Sequence, residues 1–521
     1  MTMFSFRISV FAWMFIFLQV FRYARSNVFT AMCKMEILAK SEVKMVEALE
    51  KYTWNVKENG LEVSPELQRF LSDVKGKARF SSQEHYVENP INAFHLVQRL
   101  FYTWGKIADL IFCNQCPEKE VSKAYNITME TIANQTRLFA SKEDVKWAAM
   151  ALLRLWHTYK LDIDKLIRGQ ILDTQTDPLT PSDILYISEV ADEKGQTYET
   201  IVWLRALMKA FEGRHLEWTE DVKEVNIVLR LAAAYSSYGM PWQSVQLLEE
   251  YQKKDPVDKG VASNITYFKS MLSTIPEEHR TKSLQPPPDE ERKTRYDALC
   301  RGDRKRSQRI LSSLKCFLRK TKIPIYRVKE EVLNYAPRLS LFYEVIFDSE
   351  AKYLKEASID MLERSQVARG NSYVETDFRI SEVTGLPDFI PVVYRLGRRV
   401  ELITGLSTRH YWRASHSEAL QTQNYGIGGM YWPHFDPLVE VPKAGGATVF
   451  VDINVTVPVV KGAAAFWYNF KRNGEFDIDT VHAGCPVLLG SKWIANKWIR
   501  EAGQIFRRPC GKSPNSLDGP L

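Results

Sequence analysis

The chain has 521 residues, of which 45% are apolar and 26% charged, an ordinary globular composition that excludes a disordered or collagen-like polymer. At ~100–200 residues per domain, this length predicts two to four domains. The formal charge of +7 becomes +4 once Arg7, Arg22 and Arg25 are set aside with the leader described next, too small an excess to imply a nucleic-acid partner.

Residues 1–26 read as a secretory signal peptide. Arg7 precedes the apolar run Ile8–Phe21, and Ala24-Arg25-Ser26 places small residues at a cleavage spacing. That run is 14 residues, short of the ~20 a membrane span needs, and no later segment resembles one. Secretory entry means an oxidising compartment, so the seven cysteines (Cys33, Cys113, Cys116, Cys300, Cys316, Cys485, Cys510) are expected mostly in bridges, with an odd one left over. Cys113-Asn-Gln-Cys116 has a redox or zinc spacing, but without a second metal-binding pair it fits a local structural disulfide better. Asn126, Asn134 and Asn264 sit in glycosylation triplets. Asn454 does too, but falls in a strand-like run that makes a glycan there doubtful.

From 27 to 270 the pattern is helical. Leu38, Met45, Leu49 and Tyr52 share one helix face, and Ser64-Pro65 caps a second stripe of Leu67, Phe70, Leu71 and Val74. Residues 27–145 form a first helical domain. In 146–270, Ser188, Gly195 and Thr200 are matched 44 residues later by Ala232, Gly239 and Ser244. Small contact residues around a glycine turn are the pattern of tetratricopeptide-like helix pairs. Tyr198, Tyr235 and Tyr238 cluster there and offer an aromatic surface for a proline-rich extended chain. Residues 271–293, with Pro286-Pro287-Pro288, read as a linker. The basic run Arg292–Lys322 is expected to be a solvated surface held by a Cys300–Cys316 bridge.

The remaining segment, 294–521, turns to strands after about 323. Val449, Val451, Ile453, Val455 and Val457 alternate with polar residues as one strand, and Ala463–Tyr468 and Val487–Trp498 are short apolar runs broken by glycine. This texture predicts an antiparallel barrel or double-sheet jelly roll with flanking helices.

Two of the nine histidines stand out. His434-Phe-Asp436 puts an imidazole and a carboxylate on one face of an extended segment, and His482 follows 46 residues after Asp436. Two imidazoles and one carboxylate are the facial triad of non-haem Fe(II) oxygenases. Ten residues past His482, Lys492 lies on an apolar strand, where an ammonium suits the distal carboxylate of a 2-oxoglutarate co-substrate.

Taken with Asn424-Tyr-Gly-Ile-Gly-Gly-Met-Tyr-Trp-Pro-His-Phe-Asp436, Ala444–Phe450, Phe466–Asn469, His482–Trp493 and Phe506–Cys510, the chain closely resembles the α subunit of animal collagen prolyl 4-hydroxylase. The likeness is strong over 380–510 and looser upstream. The resemblance implies an Fe(II)/2-oxoglutarate dioxygenase that hydroxylates proline in X-Pro-Gly repeats of procollagen, giving succinate and CO2, with L-ascorbate rescuing oxidised iron. It implies His434, Asp436 and His482 as iron ligands and Lys492 as the co-substrate anchor. It also implies Tyr425 and Thr448 beside the co-substrate, and Tyr431 and Trp498 near the substrate. Finally, it implies disulfides Cys300–Cys316 and Cys485–Cys510, a dimerisation role for 27–145, and a second α chain and protein disulfide isomerase as partners in the endoplasmic reticulum lumen. The chain ends Asp518-Gly-Pro-Leu521, without a retention tetrapeptide, which fits retention through that isomerase.

Three positions depart from the family. Arg500 stands where the family has a histidine that assists co-substrate binding; arginine keeps a cation but does not titrate near neutral pH. Met430 and Trp432 replace residues that are commonly polar. Two rival readings follow from these departures: a non-catalytic collagen-binding assembly subunit, and a prolyl hydroxylase of a non-collagen secreted protein.

Overall fold

The computed structural model describes residues 28–110, 119–136, 139–213, 221–272, 276, 280, 283–303, 306–369, 372–409, 416–434, 442–511 and 513. The expected signal peptide, Cys113, Cys116 and Asp436 lie outside them. The chain divides into two compact units, one of residues up to Ala148 together with Arg295 onward, the other Ala149–Thr294. The segments 27–145 and 294–521, separate domains on the sequence reading, therefore fall in one unit but for Thr294.

The first unit begins with α1 (Met32–Glu58), α2 (Pro65–Ser81), α3 (Pro90–Gln98) and α4 (Lys119–Thr136). The stripe Leu38, Met45, Leu49 and Tyr52 is buried, and α1 packs against α2 and α4, with Tyr52 edge-on to Tyr125 at 6.3 Å. The α2 helix starts where its sequence says: Ser64 accepts from the Leu67 amide and Pro65 needs no amide partner. Glu42 is fully buried and its charge is met by Arg99 (2.6 and 2.7 Å), the Trp104 indole (3.0 Å) and Ser81 (3.2 Å). Asn126 and Asn134 are exposed on α4.

The second unit holds α5 (Pro181–Glu193), α6 (Thr197–Glu212), α7 (Glu224–Ser237), α8 (Pro241–Lys254) and α9 (Lys259–Leu272). The 44-residue repeat is a pair of helical hairpins. Gly195 (φ 70°) and Gly239 (φ 81°) close the turns in the left-handed region that favours glycine. The small residues meet across them: Thr200 donates to the Ser188 carbonyl (3.5 Å) and Ser244 to the Ala232 carbonyl (2.6 Å). Asn264 lies half-buried on α9.

Beyond α10 (Glu291–Cys300), besides a small hairpin of Val367–Arg369 with Ser372–Val374, the strands are β1 (Cys316–Lys320), β2 (Arg327–Asn334), β3 (Leu339–Phe342), β4 (Glu363–Arg364), β5 (Glu382–Leu386), β6 (Leu420–Tyr425), β7 (Tyr431–His434), β8 (Ala444–Gly445), β9 (Thr448–Phe450), β10 (Val455–Val457), β11 (Ala464–Trp467), β12 (His482–Gly484), β13 (Val487–Leu489) and β14 (Lys492–Asn496). The helices Asp348–Ser358 and Pro391–Thr404 flank them. Three four-stranded antiparallel sheets have orders β11-β3-β2-β1, β14-β6-β5-β4 and β7-β12-β9-β10; β8 pairs with β13. The fold is thus a helical N-terminal half and a C-terminal jelly roll. No helix among the described residues is long and apolar enough to cross a membrane.

Two expectations are corrected. The run Val449–Val457 is not one strand but the hairpin β9–β10, turning through Val451–Asn454 with Asn454 left-handed at φ 52°. Alternation alone cannot show a turn, and Asp452 and Asn454 were its turn residues. The bridge is Cys300–Cys485, not Cys300–Cys316 or Cys485–Cys510; Cys316 and Cys510 are exposed thiols. Cys300 ends α10 and packs against the residue after β12, whereas Cys316 opens the exposed edge strand of another sheet. Nearness in sequence misled the pairing.

Candidate active site

The site is built from the inner faces of two sheets. In the sheet β7-β12-β9-β10, β12 is central: His482 stands opposite His434 on one side and Phe450 on the other, and Gly484 opposite Tyr431 and Thr448. Residues two apart on a strand share a face, so His482 and the Cα of Gly484 look the same way. His482 is buried against Trp467 (ring centroids 4.7 Å) and Phe450 (5.2 Å). Its Nδ1 lies 3.1 Å from the Thr480 carbonyl, an acceptor only, so Nδ1 carries the proton and Nε2 the lone pair a metal needs. His434 ends β7 in register with this residue.

Lys492 opens β14 and pairs with Tyr425 on β6, so both side chains project to one face. Its ammonium stands 4.6 Å above the Tyr425 ring. It reaches across to the other sheet, where a Cβ placed on Gly484 would lie 3.6 Å from Nζ. A Cβ there would make ordinary contact with the ammonium, and a longer side chain would crowd it. The lysine is 1% exposed, no carboxylate among the described residues pairs with it, and burial holds its pKa down at about 7. A buried amine left in this state calls for an anion. Thr448 is buried across the strand from Gly484, within the same wall.

Other candidates sit further out. Tyr431 is half-buried beneath the Arg379 guanidinium (4.6 Å). Trp498 is half-buried past the end of β14, its carbonyl accepting from the Glu418 amide (2.9 Å). Arg500 is exposed and pairs with Glu418 at 3.2 Å. Met430 is buried, and Trp432 exposed.

Within the second unit the tyrosines separate. Tyr235 lines a groove of about 560 Å³ with Arg205, Gln243 and Gln246. Tyr198 and Tyr238 pair with each other (6.2 Å) at the helix ends, and Tyr238 donates to the Gln285 carbonyl (2.7 Å), just before the proline run.

The sequence reading missed the roles of Gly484 and Tyr296. Gly484 was legible as the second residue after a candidate ligand on a strand. Tyr296, which donates to the Gly484 carbonyl from α10 (3.1 Å), carried no signal, because that contact spans 188 residues.

A family model described as "Prolyl 4-Hydroxylase alpha-subunit, N-terminal region" matches residues 31–173. Prolyl 4-hydroxylase subunit alpha-3 of Homo sapiens is 32% identical over 94% of this chain and 95% of its own length. Subunit alpha-2 of Gallus gallus is 31% identical over 94% of this chain and 96% of its own, and the Caenorhabditis elegans alpha-2 subunit 30% identical over 94% of each. Among solved structures, a viral collagen prolyl hydroxylase from Paramecium Bursaria Chlorella virus-1 in a 2OG complex is 23% identical over 31% of this chain and 95% of its own, with a TM-score of 0.26. Identity of this level along almost the whole length of both partners leaves one conclusion: the chain belongs to the family of prolyl 4-hydroxylase alpha subunits.

Proposed function

We propose that this chain is the catalytic α subunit of a procollagen-proline 4-dioxygenase, in which His434, Asp436 and His482 hold Fe(II) and Lys492 holds the distal carboxylate of 2-oxoglutarate. The observation that carries the reading is Lys492: a buried amine without a carboxylate partner among the described residues, its tip against Gly484 on the strand that bears His482. Lys492 supplies the charge that binds and orients the co-substrate, Tyr425 supports the ammonium through its ring face, and Thr448 offers a hydroxyl beside it. Thr480 fixes the His482 tautomer, while Trp467 and Phe450 keep water from the imidazole. When bound, iron and 2-oxoglutarate supply the chemistry that places one atom of O2 on the proline ring and the other in succinate, releasing CO2.

The groove with Tyr235 and Arg205 supports capture of an extended proline-rich chain by the second unit, and the Tyr198–Tyr238 pair offers it a separate aromatic contact. Family membership supports L-ascorbate as the reductant that restores iron, protein disulfide isomerase and a second α chain as partners, and residence in the endoplasmic reticulum lumen. Glycans on Asn126, Asn134 and Asn264 suit that compartment. The rival reading, a non-catalytic collagen-binding subunit, draws on Arg500, whose cation is spent on Glu418 at the surface; the buried Lys492 opposes it. The test is mass spectrometry of a Pro-Pro-Gly repeat peptide incubated with the protein co-expressed with the isomerase. Prolines gain one oxygen atom only when iron, 2-oxoglutarate and O2 are all present; a peptide bound but unmodified favours the rival.

A further inference from the structure

We infer that Asn424 is a positioning residue for Lys492, and that Phe29–Lys34 at the start of α1 brace it from behind the sheet that carries Lys492. The inference deepens the proposed function and rests on its assignment of Lys492 to the distal carboxylate.

Lys492 is the first residue of β14, directly after a turn in which Gly490 has φ 93°, so the ladder secures it from one side only. Asn424 supplies the missing restraint. It is fully buried on β6, with its amide nitrogen donating to the Lys492 carbonyl (3.1 Å) and to Ser491 Oγ (3.4 Å). Its Oδ1 accepts from the Cys33 amide at 3.1 Å. That amide lies in the first turn of α1, where helix N–H groups have no partner within the helix, and the N-cap Ala31 has no side chain able to serve it. The catalytic sheet therefore caps α1, and one side chain joins the cap to the backbone of Lys492.

The surrounding contacts repeat the arrangement. Glu382, Asn424 and Trp493 form one cross-strand row on the outer face of β5, β6 and β14, opposite to the face that carries the Lys492 side chain. Ala31 and Cys33 pack on Trp493. The fully buried Glu382 accepts from Thr30 (2.8 Å) and pairs with Lys34 (2.5 Å). The Gly426 amide donates to the Thr30 carbonyl (3.0 Å), and a Cβ on Gly426 would lie 2.2 Å from the Phe29 carbonyl oxygen, so only glycine lets the segment approach. A second brace reaches the turn itself: Gly490 donates to the Glu88 carbonyl (3.1 Å), and Glu88 pairs with Lys443 (2.7 Å).

The experiment measures 2-oxoglutarate binding to the full chain, with manganese in place of iron, by calorimetry. Asn424→Ala should weaken 2-oxoglutarate binding ~10-fold, with manganese affinity and the peptide KM held within ~2-fold, as expected for loss of a residue supporting a ligand-binding side chain. Gly426→Ala, which displaces Phe29 from a distance, should act in the same direction. Because coupling is reciprocal, 2-oxoglutarate added to the wild-type protein should slow amide hydrogen exchange across residues 29–34 by ~3-fold or more, a readout independent of any variant's folding. Wild-type affinity in Asn424→Ala, alongside lost binding in Lys492→Ala, overturns this inference alone, as does unchanged exchange at 29–34 on saturation. Wild-type affinity in Lys492→Ala overturns the anchor assignment, and this inference with it.

Discussion

Lys492 carries the electrostatics of the site. Burial lowers its pKa from 10.5 to about 7, so between those pH values the folded chain has released a proton that the unfolded chain still holds. Stability from this group is therefore lowest below pH 7 and rises with pH across the window. A bound carboxylate acts in the opposite sense, because it favours the ammonium. 2-Oxoglutarate affinity should accordingly fall as pH rises above 7, and binding near about pH 8 should take up close to one proton. Calorimetry in buffers of different ionisation enthalpy measures that uptake, and Lys492→Met should abolish it. Proton-neutral binding in the wild type would show that the ammonium does not meet the co-substrate. Cys33, by contrast, is held unreactive: burial and the nearby Glu382 push its thiol up to about 12.

At the scale of elements, β12 unites the site. It carries His482, the proposed iron ligand, and Gly484 two residues on, where the absent side chain keeps the tip of Lys492 uncrowded. An alanine at 484 would meet Nζ at an ordinary 3.6 Å, but a branched side chain would crowd the ammonium that the proposed carboxylate must reach. Gly484→Val should therefore raise the 2-oxoglutarate KM by more than ~10-fold while leaving metal binding close to wild type, read by manganese titration. Gly484→Ala should fall between the two. An equal loss of metal and co-substrate affinity would mean that the variant disturbs the strand and does not merely crowd the ammonium. The strand is held from outside by α10, through Tyr296 on the Gly484 carbonyl and Cys300 bonded to Cys485.

For the whole molecule, legibility followed the range of the interactions. The helix stripe from Leu38 to Tyr52, the Ser64-Pro65 cap and the paired hairpins around Gly195 and Gly239 are local, and the sequence displayed them. So was the placing of His482 and Lys492 on strands of one jelly roll. What the sequence hid depends on long-range closure: the joining of the N-terminal helices with the C-terminal sheets, the turn inside Val449–Val457, the exposure of Arg500 and the partner of Cys300. The bridge is directly testable. Non-reducing peptide mapping should recover Cys300 linked to Cys485, and Cys485→Ser should lower stability by about 2–5 kcal/mol, since the bond closes a loop of 185 residues. A Cys300–Cys316 peptide would contradict the fold given for α10. The most direct test of the central claim is succinate release by the wild type and by His482→Ala, each with 2-oxoglutarate, iron and a Pro-Pro-Gly repeat peptide. The account predicts peptide-dependent succinate from the wild type and none above background from the variant; turnover unchanged in His482→Ala would remove that residue from the iron and contradict the site.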